Sequence, residues 1–349
     1  MRSRGPRRLL LSLLLASALL VACTSDAEEP EARPSPSPSP SPEPVFTCPL
    51  SGTPPSSEAL LERIAVAVKV ENNPVAYPLS GLEKAELVFE EQVEGGMTRF
   101  MAIYHCSDSG TIGPVRSSRE VDPAIMIPIT RVLAAAGGND IVRQKLIDNK
   151  IVLLDEDTAG DAMRRVPRSG VTFEHTLYGN SKDLRKLGTK SFKRPPPQDL
   201  FAFSEDRPKG RKVETLTLQF GSATTIEYKW KKGRWHRSER GEPFMTDKGS
   251  QLAFDNIVIE EHIVNNSNRI FDVAGNPSIE IADAIGEGRV LIFRDGRALY
   301  GRWFRKSLKK PVRYETKEGE PIALQPGTTI VELLPNKEGE IKGSFKIQK

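Results

Sequence analysis

From Pro34 to Pro44 the chain reads PSPSPSPSPEP, and no packed core can be built from such a segment. Every second residue lacks a backbone N–H and has its φ locked, so the segment should run as extended polyproline II. The acidic stretch TSDAEEPEAR before it adds no apolar surface to bury. At about 3.1 Å per residue, the whole tether reaches up to about 60 Å. Folding is thereby confined to the region from 46 to 349. A reach of that order also suits work within the cell wall.

Ahead of the tether, MRSRGPRR sets four arginines and no acid before an apolar run from Leu9 to Ala22. That is the layout of a secretory signal, and the run falls short of the roughly 20 residues a permanent membrane span needs. It ends in Leu20-Val21-Ala22-Cys23, a pattern that resembles the bacterial lipobox, whose processing lipidates the cysteine and cleaves before it. Two acyl chains anchor stably where one does not. We read 1–22 as a lipoprotein signal peptide and 23–45 as lipidated Cys23 plus tether. The expected location is the extracytoplasmic face of the cell membrane, held through the N-terminal lipid. The rival reading is an ordinary cleaved signal with a chance cysteine.

The signal also carries the chain's apparent basicity. The formal net charge of +4 includes Arg2, Arg4, Arg7 and Arg8, and losing those four leaves zero. Without a positive field or a basic tail, nucleic acid is not an expected partner. With Cys23 taken by lipid, Cys48 and Cys106 remain as a pair in an oxidising compartment, and we expect them to form a disulfide. Two buried free thiols are the alternative. His105, His175, His236 and His262 share no ligand spacing, so neither a metal site nor a cofactor is expected.

The folded part is longer than one core usually serves, which suggests two domains. Composition shifts to Pro, Gly and charge from Lys193 to Lys212, through Pro195-Pro196-Pro197 and SEDRPKGRK. We therefore expect an α+β fold, with a mixed N-terminal domain over 46–195, a linker over 196–212 and a β-rich C-terminal domain over 213–349. In the first, residues 64–70, 87–92, 99–105, 132–136 and 151–154 read as strands. Residues 140–150 read as a helix capped by Asn139, and 181–187 as a second, shorter one. In the second, 213–220 and 225–230 alternate in β fashion, and Asp295-Gly296 between 290–294 and 298–300 is the strongest hairpin signal.

Polar residues crowd the turns and strand ends from Val66 to Glu120. Arg116 and Arg119 follow Gly113-Pro114 in GPVRSSRE, where two guanidinium forks could hold a phosphate or carboxylate. Pairing with Glu90, Glu91 or Glu94 is the structural alternative. Glu94-Gly95-Gly96 should supply a hairpin loop from which Arg99 returns. Glu71-Asn72-Asn73-Pro74 closes a strand with a carboxylate and two amides, which could bind a ligand or cap a loop. Glu90 and Glu91 should face opposite sides of their strand, a poor arrangement for one acid/base pair. There is no Gly-x-Ser-x-Gly elbow, His-Glu-x-x-His pair or Walker loop. His175, beside Glu174, is the most plausible catalytic histidine. Trp230, Trp235, Tyr300, Trp303 and Phe304 stand among basic residues and could stack on sugars, or cover a small β core.

These residues also carry a resemblance. CPLSG, AVKVENNPVAYPLSGLEKAELVFEE, EGGMTRFMAIYH and IGPVRSSRE, with RDGRALYGRWFRK and QPGTTIVELLP further on, resemble the YerB-like lipoproteins. The resemblance spans nearly all of the chain after the tether. It implies an envelope lipoprotein with an α+β N-terminal part and a β-rich C-terminal part, and it supplies no catalytic residue to carry over. For some relatives it suggests a role near cell-wall synthesis.

The sequence thus leads us to expect a non-enzymatic binding or accessory protein of the cell envelope. Glu71, Asn72, Arg99, Arg116 and Arg119 are its candidate ligand residues, and a cell-wall polymer or envelope protein is its candidate partner. The alternative is an envelope hydrolase or transferase acting on a glycan or phosphodiester, with Glu71 or His175 as general acid or base. The anchor is directly testable. Cys23→Ala should move the protein from the membrane pellet to the soluble or secreted fraction, and undiminished membrane recovery after an alkaline wash would rule the lipid anchor out.

Overall fold

The computed structural model describes residues 46–272 and 275–349; the signal peptide, Cys23 and the tether through residue 45 lie outside the described residues. Apolar runs bounded by turn residues give most of its strands. Val66–Glu71, Leu87–Gln92 and Thr98–Tyr104 form an antiparallel set with the first and third paired in register, Val66 opposite Tyr104 and Glu71 opposite Arg99. Val132–Ala134 and Val152–Leu154 extend it in parallel. The helix Asp140–Asp148 connects these last two, and Asn139 caps it by accepting from the Ile141 amide at 3.0 Å.

The N-terminal region is α+β and the C-terminal region mainly β, and a single sheet runs through both. Thr329–Pro335 lies between Leu87–Gln92 on one side and Asn256–His262 on the other, parallel to each. Beyond it the sheet continues antiparallel through Gly286–Arg294, Arg297–Arg305 and Arg313–Glu315. Asp295 and Gly296 both take positive φ, 52° and 67°, at the tight turn between the two longest strands. All seven residues of Thr329–Pro335 are buried, as expected of a parallel strand covered on both faces.

The two faces bury separate cores. Val68, Val70, Val88, Phe100, Ile257 and Ile330 meet Leu216, Leu218, Ile226 and Trp235 of a smaller antiparallel sheet. That sheet runs through Thr215–Phe220, Thr224–Lys231 and Arg234–Glu239, with Ser344–Gln348 at one edge. On the other face Phe89, Met101, Ile103, Val258, Ile292 and Val331 pack on Ile125, Met126 and Leu146. Trp235 and Trp303 are core residues, whereas Tyr300 is 48% exposed. Cys48 and Cys106 are joined as a disulfide across 58 residues. The Glu86 carboxylate beside it accepts from the amides of His105, Cys106 and Ser107.

Between the two sheets lies a fully buried polar cluster. Arg237 donates to both oxygens of Glu90 at 2.6 and 2.9 Å and to Glu239 at 2.7 Å, and Glu332 stands 3.5 Å away. Tyr228 donates to Glu332 at 2.5 Å. Arg240 reaches Glu239 from the edge of the cluster at 3.8 Å, and two cations still cannot balance three carboxylates. Burial, and then repulsion from Glu90, push the Glu332 carboxyl well above the usual range. Arg237→Met would leave the acids without their cation, and urea unfolding should show a loss of about 3–5 kcal/mol. A loss below about 1 kcal/mol would mean that the cluster does not hold the sheets together.

Candidate functional site

Strand alternation sorts the candidate residues before any pocket is considered. Glu71 and Arg99 are cross-strand partners on one face of the sheet, and Asn72 follows on the opposite face. Asn72 there donates to Thr98 at 2.7 Å and to Glu239 at 2.9 Å, and accepts from Tyr77 at 2.6 Å. It belongs to the buried cluster around Arg237 and stands apart from the arginines with which sequence alone groups it. Glu90 and Glu91 divide in the same way, Glu90 toward Arg237 and Glu91 toward the buried Lys69, which also donates to Asp122 at 2.8 Å.

Arg99, Arg116 and Arg119 line one cavity of about 540 Å³. Its walls are the 94–97 turn, the 116–119 loop, the start of the helix Asp140–Asp148 with Gly138 and Asn139, and residues of a C-terminal hairpin that include Ile270, Phe271 and Ser278. The Gly-Gly-Asn segment is needed for this approach. A Cβ at Gly138 would lie 2.4 Å from the Ser118 hydroxyl, which donates to the Gly137 carbonyl at 2.9 Å. Asp122 accepts from the Arg119 amide at 2.7 Å and so holds the loop from beneath.

The three arginines differ in what balances them. Arg119 pairs with Glu94 and donates to the Ser118 carbonyl at 2.9 Å. Burial works to raise the Glu94 carboxyl, but Arg119 and the Ser278 hydroxyl, which donates to it at 2.6 Å, bring it below its ordinary range. Arg116 lies with its Nε 3.2 Å from Glu71 and donates to the Glu174 carbonyl at 2.9 Å. Glu71 is shared, because its other oxygen lies 2.7 Å from His175 Nδ1. Neither Glu71 nor His175 lines the cavity.

Arg99 is the exception. It is buried at 7% exposure, its one hydrogen-bond partner among the described residues is the Ser117 carbonyl at 3.0 Å, and its buried Nε has none. No carboxylate among the described residues comes within ion-pair distance of it. Burial, with the Arg119 guanidinium next, pushes its pKa down to about 9. Glu94 and Glu91 act on it only from a distance; a buried cation with no direct partner costs stability, and an anion in the cavity would relieve that cost.

The sequence pointed to Arg99, Arg116 and Arg119 but gave no sign of Ser278 or Ile270, which arrive from a distant hairpin. Asn139 was legible as a helix cap and not as a cavity residue. A wider depression of about 960 Å³ holds Arg294, which is spent on the Ser204 and Asp206 carbonyls and on Asp295, and Arg297, which gives its Nη1 to the Gly210 carbonyl while its buried Nε has no partner among the described residues. Among the described residues, the one cluster of metal-ligand type is Cys48, Glu86 and Cys106, and its sulfurs are bonded to each other.

Two family models match the chain, "Protein of unknown function (DUF3048) N-terminal domain" over residues 50–193 and its C-terminal counterpart over residues 216–331. The chain is 27% identical over 305 residues to "Putative lipoprotein YerB" of Bacillus subtilis strain 168, covering 82% of this chain and 86% of the relative. The fold is similar to the crystal structure of YerB from Bacillus subtilis, with a TM-score of 0.69 at 24% identity, over 86% of this chain and 99% of that one. No helix among the described residues is long and apolar enough to cross a membrane.

The imbalance at Arg99 predicts an unusual mutational sign. Arg99→Met should stabilise the ligand-free protein by about 1–3 kcal/mol, because it removes a buried charge that no carboxylate pairs directly while keeping the stem's volume. Thermal and urea melts would check this, and a clear destabilisation would mean that Arg99 is structurally paired.

Proposed function

The chain belongs to the two-part family of unknown function (DUF3048), with a relative named "Putative lipoprotein YerB", and from that premise we propose that it is a lipid-anchored envelope protein that binds an anionic ligand without transforming it. The observation that carries the reading is Arg99, buried on the cavity wall with no carboxylate among the described residues in direct ion-pair contact, Glu94 and Glu91 acting on it only from a distance. A protein keeps such a charge where a ligand supplies the missing partner. Arg116 and Arg119, already neutralised by Glu71 and Glu94, add donors and shape to the site. The relative's name supports the anchor, and the tether would let the site work at a distance from the bilayer. Binding a wall polymer or an envelope protein, as an accessory to wall construction, fits that placement.

The hydrolase reading draws less support. Its proposed base, Glu71 or His175, is locked in a mutual contact of 2.7 Å and lies off the cavity wall. The two readings separate in a pull-down from gently solubilised membranes, using lipidated wild type, Arg99→Met and the Arg116→Ala/Arg119→Ala double variant. Mass spectrometry should find wall fragments or an envelope protein with wild type, and at least tenfold less with either variant. Equal recovery from all three would remove the cavity from the function and turn attention to hydrolysis assays on wall polymers.

A further inference from the structure

We propose that the anion held in the cavity is a phosphate group carried on a small organic body, an inference that rests on the cavity being the anion site described above. The distribution of unused donors carries it. The Nε and Nη2 of Arg99 have no partner among the described residues, and together they form the edge of a guanidinium that takes two oxygens of an oxyanion side by side. The Nε of Arg119 is likewise buried and unpartnered. Arg116 keeps its Nη2, because its Nη1 goes to Glu174 and its Nε faces Glu71.

A third wall adds to these. The helix Asp140–Asp148 begins at the cavity with Gly138, Asn139 and Val142 on its lining, and the Asn139 side chain satisfies only the Ile141 amide. The remaining first-turn amides leave the positive end of the helix there. The donors therefore come from three separate elements, the strand Thr98–Tyr104, the 116–119 loop and the helix start. A carboxylate offers two oxygens in one plane, and the Arg99 edge alone would satisfy it. A tetrahedral phosphate, with oxygens pointing apart, can use donors from all three, and its second ionisation near pH 6 brings an extra charge.

Size argues for more than a bare ion. A cavity of about 540 Å³ falls within the range of small-molecule sites, about 300–1,000 Å³. Val93, Met97, Val142 and Ile270 on its wall offer apolar contact to the body that carries the phosphate.

The test is calorimetric titration of the full-length lipidated protein in detergent with inorganic phosphate, glucose 1-phosphate and glucuronate, at pH 5 and pH 7.5. Glucose 1-phosphate should bind at least tenfold more tightly than glucuronate, with the gap widening at the higher pH as the phosphate gains its second charge. Inorganic phosphate should bind more weakly than the ester. Arg99→Met should reduce binding of the ester at least tenfold, and Arg99→Lys, which keeps the charge without the fork, should recover only part of it. Circular dichroism would verify that both variants are folded.

Glucuronate binding as tightly as the ester would overturn the phosphate assignment and leave the anion site standing. Inorganic phosphate binding as tightly as the ester would overturn the organic body. No binding of any probe to wild type, or phosphate binding unchanged in Arg99→Met, would overturn this inference and the underlying anion site together.

Discussion

Arg237 and Glu90 meet as a bidentate ion pair at 0% side-chain exposure, 147 residues apart in the chain. The arrangement of the sheets depends on that meeting. Glu90 lies on the central sheet and Arg237 on the smaller one, so the pair sets which strands of the two layers face each other. A buried charge pair gains little stability over an apolar one. Its effect is to penalise any other docking of the sheets, since each alternative leaves a carboxylate or a guanidinium in the core without a partner. Glu332, its carboxyl pushed upward by burial and by Glu90, brings the inserted strand Thr329–Pro335 under the same constraint.

The face opposite that cluster carries the arginine cavity, and the two sites handle charge differently. Around Arg237 acids exceed cations, and burial with Glu90 beside it pushes the Glu332 carboxyl upward. In the cavity Arg99 has Glu94 and Glu91 nearby, but no carboxylate among the described residues pairs with it directly. Glu94 connects the cavity to the C-terminal part of the chain, taking Arg119 with one oxygen and the Ser278 hydroxyl with the other. Residues from both family parts are thus needed to close the walls. The 94–97 turn also contacts the small sheet, because a Cβ at Gly96 would lie 2.7 Å from that of Ala223, and Thr224 donates to the Gly96 carbonyl.

Much of the local structure was legible from residue order. Alternation and turn chemistry located Leu87–Gln92 to the residue and the Asp295-Gly296 hairpin correctly, because a strand's pattern and a tight turn's φ requirements are local properties. Alternation also separated Glu90 from Glu91. It should have separated Glu71 from Asn72 as well, but a turn was expected at both, and a turn has no face. The insertion of Thr329–Pro335 beside Leu87–Gln92 left no local trace, since a parallel pairing between distant segments is decided by the whole core. The hairpin that brings Ser278 to Glu94 was hidden for the same reason. Arg116 and Arg119 could be named from their spacing, but which carboxylate each would meet could not: Arg116 took Glu71 and Arg119 took Glu94.

The inserted strand has a consequence for the life of the chain during synthesis. Until residues 329–335 emerge, Leu87–Gln92 has Thr98–Tyr104 on one side and an open edge of backbone amides and carbonyls on the other. Leu87, Val88 and Phe89 make that edge apolar, the kind of surface that recruits strands from other chains. The C-terminal part is in the same position, with Thr329–Pro335 open on its far side when alone. Each part is the other's edge guard, so a break or a stall between them would yield two self-associating fragments where the intact chain pairs both of these strands.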